Sequence, residues 1–242
     1  MVGIPVNLLR CFMPSDVLNP SPDHHPSADH ENRDAFARHQ ARVLGCDRCP
    51  DVFGPPVTGF VPGARVFLMG QAPGPKERDA GVPFIWTAGR TLFKWFGAIG
   101  VTEQDFRQKA YMGAVIRCFP GKIPGQSGDR KPSRQEAERC GEFFLQELEL
   151  LRPELVVAVG RMAIDRLIEF NKLDDVVGRV LPVTYQGHQF RCVPLPHPSG
   201  LSRWIQKPEG KARITQALDA LTREPAWRET FPGCHTPAKG MI

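Results

Sequence analysis

No hydrophobic run in this 242-residue sequence approaches the ~20 residues of a membrane span, which argues against an integral membrane protein. The N-terminus lacks a basic stretch leading into an apolar segment, so no signal peptide is expected, and a cytoplasmic protein is. There is no internal repeat. The seven cysteines of a cytoplasmic chain are not expected to form a disulfide framework. What remains is one globular domain with tails, or two small domains, with 41% apolar residues to build a core.

The charge is uneven. The net charge of +5 includes a segment, residues 1–34, that carries Arg10 and Arg33 against Asp16, Asp23, Asp29, Glu31 and Asp34. That segment is −3, leaving +8 on residues 35–242, a balance compatible with a polyanionic partner. Residues 1–32 are rich in Pro, His, Asp and Ser without periodicity and read as a disordered tail, in which His24, His25 and His30 are solvated rather than metal-binding. Residues 33–222 read as the folded domain and 223–242 as a loosely ordered C-terminal tail.

The domain is organised around residues 66–89, VFLMGQAPGPKERDAGVPFIWTAG. Val66–Met69 reads as a buried strand, followed by a Gly- and Pro-punctuated loop and a helix from about 88 to 99. Further strands are expected at Tyr111–Cys118, Leu155–Val159 and 190–195, with helices at 33–45, 102–109, 161–171 and 208–222. Ser133 with Glu136 forms a capping box that opens a helix to about 151. Strands with near-continuous apolar character alternating with helices indicate a parallel sheet covered on both faces. The loops 70–83, 119–132 and 196–204 all leave carboxyl ends of strands and should converge on one edge, where ligand pockets form.

Cys46 and Cys49 are spaced as a Cys-x2-Cys pair, and with Cys118 and Cys140 they supply four thiolates. Four thiolates suit an iron–sulfur cubane or a structural zinc. Cys11, Cys192 and Cys234 read as free thiols.

In order, the Cys-x2-Cys pair, GQAPGPKERDAGVPF, VIRCFPG and PHPSGLS resemble the uracil-DNA glycosylase superfamily over residues 40–222, specifically its iron–sulfur branch, family 4. The resemblance implies an α/β/α sandwich with a central four-stranded parallel sheet, and a 4Fe–4S cluster on Cys46, Cys49, Cys118 and Cys140. It also implies monofunctional excision of a deaminated base, uracil foremost, from single- or double-stranded DNA by a monomer. Phe84 corresponds to the stacking platform for the flipped base, His197 to the donor that stabilises the departing base, and Gly70 and Ala72 to the base-cradling loop. Leu201 corresponds to a wedge filling the vacated stack, with Ser199, Gly200 and Arg203 on phosphates. The basic loop, with Lys122, Arg130 and Lys131, is expected along the DNA backbone.

The sequence departs from that pattern in the loop after the first strand. The family-4 glutamate is Gln71, which cannot act as a general base but can orient a water. The uracil-reading asparagine is Ala114, and Trp86 replaces a glycine. Glu77 and Asp79 are acids in the same loop, either a substitute base or solvated charges. The alternative function is a non-catalytic DNA-binding or damage-sensing protein on the same scaffold; a redox sensor rests on the cysteines alone. Residues 119–132 contain no histidine, which sets aside the branch that captures uracil covalently.

Overall fold

The structure, a computed structural model, describes residues 26–126, 128–199 and 202–238. Five strands form one sheet: β1 (Val66–Gly70), β2 (Tyr111–Ala114), β3 (Leu155–Val159), β4 (Leu181–Tyr185) and β5 (His188–Leu195). Their order is β2-β1-β3-β5-β4. The first four in that order run parallel, with Phe67 opposite Tyr111 and Val156, and Val157 opposite Val193. Every residue of β1, β2 and β3 is buried, as strands covered on both faces require.

The sheet therefore has five strands rather than four, and one of them is antiparallel. β4 joins β5 through the turn Gln186–Gly187, where both residues have positive φ (48° and 85°), the geometry of a tight hairpin. Its sequence hides it. Pro182 removes a ladder donor, which an edge strand tolerates, and only Val183 of its five residues is buried. β2 is also shorter than the expected Tyr111–Cys118. After Ala114 the chain stays beside the central loop instead, with the Val115 and Ile116 amides donating to the Gly70 and Gln71 carbonyls at 2.9 and 3.2 Å.

Helices flank the sheet and two aromatic clusters fill the layers. Phe67 and Tyr111 stack at 5.0 Å and meet Phe144 of α5 (Arg134–Leu151) and Phe36 of α1 (Pro26–Leu44). A second set joins Phe96 of α3 (Thr87–Gly97) and Phe106 of α4 (Glu103–Lys109) to Trp227 and Phe231. Trp227 lies on a short helix, Pro225–Thr230, and is fully buried. The segment 223–242, expected to be a loose tail, thus contributes to the core as far as Phe231; residues 239–242 lie outside the described residues. At the other end α1 begins inside the stretch expected to be disordered, and residues 1–25, with Cys11, His24 and His25, lie outside the described residues. The capping box of α5 is present in full: Ser133 accepts from the Glu136 amide, and Glu136 accepts from the Ser133 amide at 2.7 Å.

Candidate active site and cysteine cavity

At the carboxyl ends of β1, β2 and β5 lies a cavity of about 280 Å³. Gly70, Gln71, Ala72, Phe84, Ala114, His197 and Ser199 line it, seven of the eight residues singled out for catalysis and substrate contact. Leu201, with Gly200, lies outside the described residues.

Phe84 is fixed by three elements at once. Its ring packs over Gly70, where a side chain would approach Phe84 Cζ within 2.9 Å. Its backbone holds φ at 54°, a conformation that bulky residues avoid unless the surroundings impose it. Arg107 of α4 imposes it, donating to the Pro83 carbonyl at 2.7 Å and the Phe84 carbonyl at 3.1 Å. At Gly89, on the first turns of α3, any side chain would collide with the Phe84 carbonyl oxygen. The result is an aromatic plate held at the cavity wall by contacts that nothing local in the sequence announces.

His197 stands between Pro196 and Pro198 just beyond β5, open to solvent at the cavity, its ring beside Gly160 at the end of β3. Desolvation by the surrounding protein lowers its pKa from the ordinary imidazole value, and the charge of Glu77 pulls the other way. Near neutral pH it is an uncharged imidazole with one N–H to donate. No described residue makes a hydrogen bond to its ring, which leaves that donor for a ligand.

The acids of the central loop separate. Asp79 is exposed and held by Arg78 at 2.6 Å, away from the cavity. Glu77, on α2 (Pro75–Ala80), lines it, as does Asp129 from the basic loop. Asp129 and the helix-4 arginine were not singled out from the sequence: the loop 119–132 has no period, and Arg107 looks like any exposed helical cation. Of the basic residues expected on DNA, Arg130 pairs with Glu136 at 2.8 Å and Lys122 with Asp129 at 2.6 Å, so both serve the loop's own structure. Lys131 and Arg203 are exposed.

A second cavity, of about 250 Å³, is lined by Cys46, Cys49, Cys118 and Cys140. Cys46 and Cys49 follow α1, Cys118 lies beyond β2, and Cys140 is on α5. Burial pushes the Cys118 thiol up to about 12, and the charges of Cys140, Cys46 and Cys49 add to the shift. Among the described residues, no group of three or more His, Cys, Asp or Glu side chains is placed to hold a metal ion. Beside them Arg117, fully buried, pairs with Glu147, which also accepts from Tyr111 at 2.7 Å. Arg117 Nε and Nη1 have no hydrogen-bond partner among the described residues.

Residues 58–222 match the family model of the uracil DNA glycosylase superfamily. The chain belongs to the uracil-DNA glycosylase superfamily. Similar proteins include two named Type-4 uracil-DNA glycosylase. That from Archaeoglobus fulgidus is 28% identical over 169 residues, covering 66% of this chain and 79% of the relative. That from Thermotoga maritima is 29% identical over 167 residues, 67% and 80% respectively. A protein named Type-5 uracil-DNA glycosylase, from Pyrobaculum aerophilum, is 26% identical over 145 residues, 50% of this chain and 64% of the relative. The matched span of the uracil-DNA glycosylase superfamily holds both cavity-forming motifs, GQAPG and HPSG, together with Cys118 and Cys140, while Cys46 and Cys49 precede it. No helix among the described residues is long and apolar enough to cross a membrane.

Proposed function

We propose that this protein is a DNA repair glycosylase that takes a deaminated base, uracil first, out of DNA and hydrolyses its bond to the sugar, leaving an abasic site. The observation that carries the reading is the cavity at the sheet edge, where a fixed aromatic plate and an imidazole with no hydrogen-bond partner among the described residues line the same space. The names of the relatives support uracil as the first substrate.

In this reading the flipped base stacks on Phe84. As the bond breaks, negative charge develops on the base, and the His197 N–H donates to it. Amides of the loop at Gly70 and Ala72 hold the base, Ser199 a flanking phosphate, and Gln71 orients the water. Ala114 presents a methyl group, so selection among bases rests on shape rather than on a polar contact at that wall. Leu201 fills the hole left in the stack.

Cys46, Cys49, Cys118 and Cys140 would hold a 4Fe–4S cluster. The donor set fits by its chemistry: four thiols line one cavity beside a buried guanidinium, and four thiolates are what a cubane cluster takes. Such a cluster supplies a covalent staple between the end of α1, the segment after β2, and α5; the base chemistry proceeds on the other cavity's residues. The protein acts as a cytoplasmic monomer. It works without strand cleavage, a reading supported by the lack of a lysine lining the base cavity among the described residues.

The test is incubation with oligonucleotides that each carry one uracil, hypoxanthine or xanthine, followed by alkali to reveal abasic sites. Alkali-dependent breaks at uracil are expected. Binding without base release from any of them would instead favour the non-catalytic, damage-sensing alternative. Breaks without alkali would contradict monofunctional action.

A further inference from the structure

Gln71 and Ala72 leave the two positions after Gly70 without a group that can take a proton from water. The cavity nevertheless holds two carboxylates, Glu77 and Asp129. Asp129 is neutralised by Lys122 at 2.6 Å. Glu77 is different. Its Oε1 accepts from the Trp86 amide at 3.2 Å, which fixes the side chain. Its Oε2 lies over Gly74, 2.9 Å from where a β-carbon there would sit, with Asp129 Oδ2 3.6 Å from the same point. Glycine at 74 is what allows the carboxylate to fold back over the loop. No described residue donates a hydrogen bond to Oε2, and although Glu77 acts electrostatically on His197, no hydrogen bond or ion pair joins them. Cavity space separates a tethered carboxylate from an imidazole donor, the arrangement that attack by water and departure of a base together require.

Building on the glycosylase reading, we propose that Glu77 is the general base that activates the attacking water. The water oxygen bonds to C1′ of the sugar as the bond from C1′ to the base nitrogen breaks. The electron pair leaves on the base, where the His197 N–H meets it, and the water proton passes to Glu77 Oε2. The titratable and charged groups that line the cavity with Glu77 are His197 beyond β5 and Asp129 and Arg130 of the basic loop, and Lys76 and Arg78 are its sequence neighbours on α2.

Glu77→Gln tests this, because the amide oxygen still accepts from Trp86 while proton uptake is lost. Single-turnover rates are measured on a uracil-bearing oligonucleotide across pH, with affinity measured separately. The expected result is a ~10²–10⁴-fold slower cleavage step with DNA affinity unchanged, and loss of the acidic limb of the wild-type pH–rate profile. Asp79→Asn stays near wild type. Glu77→Asp, which keeps a carboxylate, retains the limb at reduced rate, separating proton transfer from any effect on folding. A Glu77→Gln rate near wild type, or a slow variant that keeps the acidic limb, overturns the role of Glu77 while leaving the glycosylase reading intact. A wild-type protein that releases no base overturns both.

Discussion

Glu136 offers a quantitative test of how the loop over the base cavity is held. It is nearly buried and receives Arg130 through two hydrogen bonds of 2.8 Å while closing the cap of α5. The Arg130 guanidinium, with help from Ser133 and against the cost of burial, draws the Glu136 carboxyl from 4.5 to about 2. At 1.36 kcal/mol per pKa unit that drop corresponds to ~3 kcal/mol of stability. Because the folded value is depressed, the contribution is fully present above pH ~4.5 and is lost as pH falls through the folded value near 2. Glu136→Gln preserves the capping geometry, since glutamine serves at that position, and removes the charge. At pH 7 the variant should melt roughly 6–12 °C below wild type, at 2–4 °C per kcal/mol for a chain of this size. By pH 3 less than half of the difference should remain. Thermal unfolding followed by far-ultraviolet circular dichroism, with both proteins at equal cofactor content, measures the gap. A difference that does not narrow as pH falls from 7 to 3 would refute the ion-pair account, because the cap alone has no charge to titrate.

His197→Ala should slow base release by ~10²–10³-fold in single-turnover assays, the usual loss for one preorganised donor, and Gln71→Ala by less; the reverse order would remove the leaving-group role. Gly70→Ala presses on the Phe84 ring, and an overpacking cost of ~1–3 kcal/mol should weaken capture of the damaged base ~10–100-fold; unaltered affinity for lesion-bearing DNA would show that the plate does not contact the base. Purified protein should be brown, absorb broadly near ~400 nm and contain about four irons per chain. A colourless protein with one zinc would replace the cluster by a structural zinc site.

The parallel core was legible because β1 and β3 are uninterrupted apolar runs, and the convergence of the loops followed from where those strands end. β4 was not legible, since one buried residue and a proline carry no strand pattern. Trp227 and Phe231 escaped notice for a related reason: two aromatics in a polar stretch have no period, and only contact with Phe96 and Phe106 explains them. At the site, the motifs located the lining residues but not what fixes them. Gly70 and Phe84 are fourteen positions apart, and Arg107 lies on another helix. Between Glu77 and Asp79 sequence gave no basis for choice; the turn of α2 decides it by sending one inward and the other to Arg78.

The anchoring of Phe84 separates two kinds of mutational freedom. Its supports, Gly70, Gly89 and Arg107, are not the positions 71 and 114 at which this chain departs from the family-4 pattern. A lineage can therefore exchange the groups that discriminate among bases one at a time, without passing through an intermediate whose pocket has collapsed. The constraint falls unequally: a side chain at Gly70 or Gly89 meets Phe84 directly, while none of the contacts that hold Phe84 comes from position 71 or 114. Gln71 and Ala114 can therefore stand in this chain without disturbing the contacts that hold Phe84.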